Sequence, residues 1–160
     1  MKILGVLSVP FLLALSWVFA LTGLAPWGAE PTDTFSITAI RWILFLALGW
    51  GGIGGFVMHV FMSKQVAASI GWVSNGFQKE VGFANLAIGA AAIAASMMQS
   101  DAWVIATIAG TAFLGGAAVN HVIEIIRSRN LAPGNTLILI SDLGIPASLW
   151  ILLATSGVLT

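Results

Sequence analysis

The sequence predicts an all-α fold, an integral membrane helical bundle of about five transmembrane helices. Three observations carry the prediction. Hydrophobic residues make up 59% and charged residues 8% of the 160-residue chain, whereas a soluble domain carries roughly 25% charged residues; mean hydropathy is +1.02. Apolar stretches of about 20 residues, enough to cross a hydrocarbon core of roughly 30 Å as a helix, recur along the chain. Short segments rich in Pro, Gly, Asn and Asp separate them, and these are the residues that turns demand.

The spans form a single transmembrane domain over residues 1–160, at about 3–25, 37–62, 79–98, 102–127 and 137–159. In the first, Pro10 predicts a kink whose freed carbonyl neighbouring helices must satisfy. Its basic start at Lys2 also fits a cleavable signal peptide; as the sequence opens at Met1, a retained helix is the expectation. Gly49, Gly51, Gly52, Gly54 and Gly55 crowd the second span. Gly82, Ala84, Ala87, Gly89 and the alanine-rich stretch 90–95 line the third, and Gly110, Gly115, Gly116, Ala117 and Ala118 serve the fourth. In lipid, helices associate by close packing rather than hydrophobicity, so small residues mark contact faces. Spans two to four are therefore expected to form an inner core, with the Leu- and Ile-rich first and fifth nearer lipid. The glycines of span two also fit a flexible helix beside a transported solute. In the fifth span, Gly144 and Pro146 predict a local break.

The longest connection follows span two. Val66, Ile70, Val73 and Phe77 recur at spacings of four, three and four, which suits an interfacial helix over 65–78 anchored by Trp72; an ordered loop with one helical turn is the other reading.

Basic residues alternate between loops. Lys2 precedes span one, Lys64 and Lys79 flank the loop after span two, and Arg127 and Arg129 follow span four, while the other loops hold Glu30, Asp33 and Asp101. Positive loops stay cytoplasmic, so the N-terminus is expected inside and the C-terminus outside. Arg41 is the one dissenting charge.

Formal net charge is zero, with no basic run to suggest nucleic acid; the partner implied is the lipid bilayer. Cysteine is absent, which excludes disulfides, thiolate metal sites and a cysteine nucleophile. No phosphate loop, HExxH or nucleophile elbow occurs.

An ionisable group inside a span is expensive and marks a candidate site. His59, Glu80, Asn85, Asn120, His121, Glu124 and Asp142 come from four spans at similar depth near the cytoplasmic side. Residues three and four apart share a helix face, so Asn120 and His121 both stand over Glu124. Imidazole with carboxylates suits a divalent zinc, manganese or iron ion, giving His121, Glu124, Asp142, His59 and Glu80 as candidate ligands and Asn85 and Asn120 as further pocket residues. His59 and His121, on different helices, could also ligate a haem from two sides. The plain readings are a Glu124–Arg127 pair one turn apart, and a Glu80 that reaches water or complements the start of its helix. Asp142 has no basic residue within a turn and is the best individual candidate.

The segment from Phe77 to Gly89, FQKEVGFANLAIG, resembles an uncharacterised family of small prokaryotic integral membrane proteins. Asn120-His121-Val122-Ile123-Glu124 and the stretch from Asn130 to Asn135 are similar to the same family, so the likeness covers roughly residues 50 to 155. It implies a multi-span protein of a prokaryotic inner membrane and supplies no substrate.

Function is thus expected to be binding, and transport, of a cation or proton at a polar pocket facing the cytoplasm. A membrane-embedded metal-dependent enzyme using the same residues is the first alternative. An accessory or assembly subunit, or a homo-oligomer, whose small-residue faces meet partner helices is the second.

Overall fold

A computed structural model describes residues 6–159; Lys2 and Ile3, where the first predicted span starts, lie outside them. The described residues form an all-helical bundle. Helix α1 is Ser8–Leu21, α2 Phe35–Phe61, α3 Ser63–Ile70, α4 Phe77–Ser96, α5 Ser100–Ser128 and α6 Pro133–Thr155. Helices α2, α5 and α6 are long and apolar enough to cross a membrane. Helix α1 is a shorter apolar helix, and α4 opens on the polar residues Gln78, Lys79 and Glu80.

Local chemistry sets the ends. Pro10 falls in the first turn of α1, where its missing N–H costs no helical bond. Gly23, at φ 72°, closes the helix as Leu24 N–H reaches back to Phe19 O at 3.1 Å, a Schellman-type end that needs the left-handed region. Thr34 caps α2 by accepting from Ile37 N–H. Helix α3 covers the first half of the predicted interfacial segment and stops at Gly71, φ 77°. The break predicted at Gly144 and Pro146 is not where α6 yields: the helix runs on through both, and the irregular turn comes earlier, at Leu137 and Ile138.

The middle of α2, Ile43–Trp50, is wound as a π-helix. Its buried Ile43, Leu44, Ala47 and Leu48 meet Leu13 and Ala20 of α1, Ala92 of α4, Trp103 and Ala106 of α5, and Ile145, Leu149 and Leu153 of α6. The first and last helices therefore contribute to the core as fully as the small-residue helices do. Large side chains on α1 and α6 fill the space around α2, so a helix rich in Leu and Ile has as much reason to face inward as one rich in Gly.

Close packing is concentrated between α2 and α4. A Cβ on Gly52 would lie 2.8 Å from Asn85 O and from Gly89 Cα, and one on Gly89 2.7 Å from Gly49 O, so here the two backbones touch. Added Cβ atoms at Gly54, Gly115 and Gly116 would meet nothing within 4 Å; these glycines are not contact points between described residues.

Two opposite ends result. At one, the 22–34 and 97–99 loops are tied together by Arg41, which is 1% exposed. Its Nε donates to Asp33 Oδ2 at 3.0 Å and its Nη1 to Ser96 O at 2.8 Å and Met98 O at 3.2 Å, while the guanidinium lies 4.8 Å from the centre of the Trp103 ring. The charge that dissented from the loop pattern is thus a clamp that satisfies carbonyls at and just past the end of α4. At the other end, α3 packs on the start of α6: Asn130 Nδ2 donates to Ile70 O at 2.7 Å, and Gly134 sits against Ser69 O.

Candidate functional site

The second end holds a buried polar cluster built by the turn between α5 and α6. Arg129, at φ 50°, ends α5 and reverses the chain, and Asn130 N–H bonds Glu124 O at 3.2 Å. The turn carries Asn135 into the bundle, fully buried. Asn135 Nδ2 donates to Asn130 O at 2.9 Å and to His121 O at 3.3 Å, while its Oδ1 lies 2.7 Å from His121 Nδ1. Because the amide nitrogen serves two carbonyls, its oxygen must accept, so Nδ1 of His121 carries a proton and donates it.

That bond aims the other ring nitrogen at α6. His121 Nε2 lies 4.0 Å from Asp142 Oδ2, within ion-pair range and beyond a direct hydrogen bond. Asp142 is 4% exposed and its Oδ2 has no hydrogen-bond partner among the described residues. Trp72, just past Gly71, stacks on the imidazole with ring centres 5.5 Å apart and planes 21° apart.

Beside this cluster lies a cavity of about 600 Å³ between α1, α2, α3, α5 and α6. His121 and His59 both border it, with Lys64, Gln65 and Ser69 and a larger apolar surface that includes Val9, Met58 and Met62. His59 Nδ1 is buried without a hydrogen-bond partner among the described residues.

Of the sequence-predicted residues, the structure brings together His121 and Asp142, with His59 on the adjoining cavity. Glu124 is half-buried one turn beyond His121, and neither it nor Arg127 forms an ion pair among the described residues. Glu80 and Asn120 are exposed. Asn85 donates to Val81 O at 3.0 Å and packs on Gly55, with no hydrogen bond to His121, Asn135 or Asp142. No group of three or more His, Asp or Glu side chains is arranged to hold a metal among the described residues. Sequence reasoning gave Asn135 no site role, and took Trp72 only as an interfacial anchor and Arg41 only as a dissenting charge. Asn135 had a signal: an amide two residues after Pro133 and seven before Asp142 sits where a turn re-enters the bundle.

The fold and the cluster define a class: an all-helical bundle, three of its helices able to cross a membrane, with a His–Asn–Asp cluster behind an apolar cavity at one end. The chain belongs to the family of unknown function DUF6790, whose model matches residues 7–158. No curated protein and no solved structure matches it.

Proposed function

We propose that this chain is a multi-span membrane protein that binds a proton on the His121–Asp142 pair and exchanges it with the cytoplasm through the cavity bordered by His59. The buried Nε2 to Oδ2 approach of 4.0 Å carries the reading. With Nδ1–H committed to Asn135, one further proton makes His121 an imidazolium and leaves Asp142 a carboxylate, a pair of zero net charge. Removing that proton leaves a lone carboxylate in an apolar bundle, which is costly. Adding one leaves an unpaired imidazolium. A proton needs only these two groups, whereas a resident divalent metal draws three or more protein ligands.

Infrared difference spectroscopy of the protein in nanodiscs, titrated with pH, tests this. The wild type is expected to give a titrating imidazole–imidazolium change coupled to a shift of the Asp142 carboxylate band, both of which Asp142→Asn removes and Glu124→Gln leaves intact, and proteoliposomes of Asp142→Asn are expected to lose the pH-driven proton uptake of the wild type. A carboxyl band unchanged in Asp142→Asn would overturn the assignment.

The orientation follows from the same reading. The His121 end carries Lys64, Lys79, Arg127 and Arg129 and the Arg41 end carries Glu30 and Asp101, so the first faces the cytoplasm. On this cysteine-free chain, a cysteine at position 101 is expected to react with an impermeant maleimide in intact cells, and one at position 129 only after lysis. Labelling of position 129 from outside would reverse the orientation.

A further inference from the structure

We infer that the cavity beside His121 is a binding site for a single-chain amphiphile with an anionic head, a long-chain carboxylate or phosphate monoester. The inference does not depend on proton binding by the His121–Asp142 pair.

The cavity's size falls within the roughly 300–1,000 Å³ of small-molecule sites. Its lining is mostly apolar: Val9 of α1, Met58 and Met62 around the end of α2, Val66 and Ile70 of α3, and Ile138 of α6. The methionine side chains suit a flexible chain, since an unbranched thioether adapts to an irregular partner. The polar side chains are a lysine, two histidines and the neutral Ser8, Gln65 and Ser69. Among the described residues, Lys64 is the lining's charged side chain, His59 and His121 are its titratable groups, and no carboxylate lines it. Asp142 stands behind His121, 4.0 Å from its Nε2, and is not among the residues that line the cavity. Lys64 makes no ion pair and His59 Nδ1 no hydrogen bond among the described residues. An apolar chamber with an ammonium and a half-buried imidazole whose Nδ1 has no hydrogen-bond partner among the described residues complements an acyl chain ending in an anion, and it repels a cationic head.

The backbone provides a way to test occupancy. Gly54 borders the cavity, and a Cβ there meets nothing within 4 Å, whereas at Gly55 it would lie 2.7 Å from Asn85 Oδ1. A large side chain at position 54 therefore obstructs the cavity without separating α2 from α4.

The experiment uses the full chain in nanodiscs of zwitterionic lipid and measures saturable retention of radiolabelled palmitate, with hexadecyl phosphate, hexadecanol and cetyltrimethylammonium as competitors. Palmitate is expected to bind saturably. Competition by hexadecyl phosphate as well assigns the site to anionic heads in general, and its failure narrows the site to carboxylates. Lys64→Gln is expected to weaken binding about tenfold, the worth of one hydrogen bond to a charged group. Gly54→Phe is expected to abolish binding while keeping the wild-type melting temperature. Lys64, exposed at the start of α3, keeps the test decisive if Gly54→Phe does not fold. Asp142→Asn is expected to retain palmitate, so failure here and failure of the proton reading are separate results. Binding that is non-saturable, that cetyltrimethylammonium displaces as well as hexadecyl phosphate, or that Lys64→Gln leaves unchanged would mean partition into an apolar surface and would overturn the inference.

Discussion

Replacing Arg41 by methionine is expected to destabilise the bundle by about 3–5 kcal/mol, the cost of removing one partner from a buried ion pair. The guanidinium serves Asp33 and the carbonyls of Ser96 and Met98 at once, and methionine fills the space beside Trp103 without donating to any of them. Asp33 then keeps one bond, from Glu30 N–H at 3.1 Å, and the carbonyls ending α4 lose their donor. Arg41→Lys is expected to recover only part of the loss, because an ammonium cannot present the planar fork that reaches acceptors in different directions. Asp33→Asn combined with Arg41→Met is expected to be milder than Arg41→Met alone, since the uncompensated charge is gone. Thermal unfolding of the purified protein in detergent measures all three. A melting temperature for Arg41→Met within a degree of wild type would show that the clamp contributes nothing.

The second large effect is expected at Gly52. A side chain there strikes the main chain of α4, at Asn85 O and Gly89 Cα, both 2.8 Å from the added Cβ. Backbone cannot swing aside as a flexible side chain can, so Gly52→Leu must push two helices apart. Overpacking of this kind costs about 1–3 kcal/mol and occasionally more, and the backbone contact puts this case at the upper end. Gly89→Leu, the reciprocal change, is expected to match it. Two controls sharpen the reading: Gly54→Ala, two residues along the same helix, meets open space and gains helix propensity of about 1 kcal/mol, and Val57→Leu alters an exposed site. If Gly52→Leu and Gly54→Ala melt together, the α2–α4 contact does not hold the bundle.

By itself the sequence determined the class of structure. Apolar runs of about 20 residues with turn residues between them have the length of helices that cross lipid, and each helix satisfies its own backbone; the helices observed follow those runs closely. It also separated the two ends, because the charges of short loops need no fold to be counted. The same sequence could not say which small residues touch. Gly52 and Gly54 are equivalent by type and neighbourhood, yet one lies against another backbone and the other borders a cavity, a difference set by which side of α2 faces α4. Nor could it choose partners for the buried charges. Asn120, His121 and Glu124 are close in sequence, but a rotation of about 100° per residue turns His121 inward and leaves Asn120 exposed. Glu124 lies a turn nearer the helix end. Arg41 was countable as a charge in the wrong place, while its role depends on carbonyls 55 and 57 residues away. The pairing of His121 with Asp142, and the Asn135 bond that fixes which imidazole nitrogen faces the carboxylate, exist only once the turn after α5 folds α6 back alongside it. Long-range side-chain pairing is decided by how helices rotate and cross, and local periodicity does not encode that.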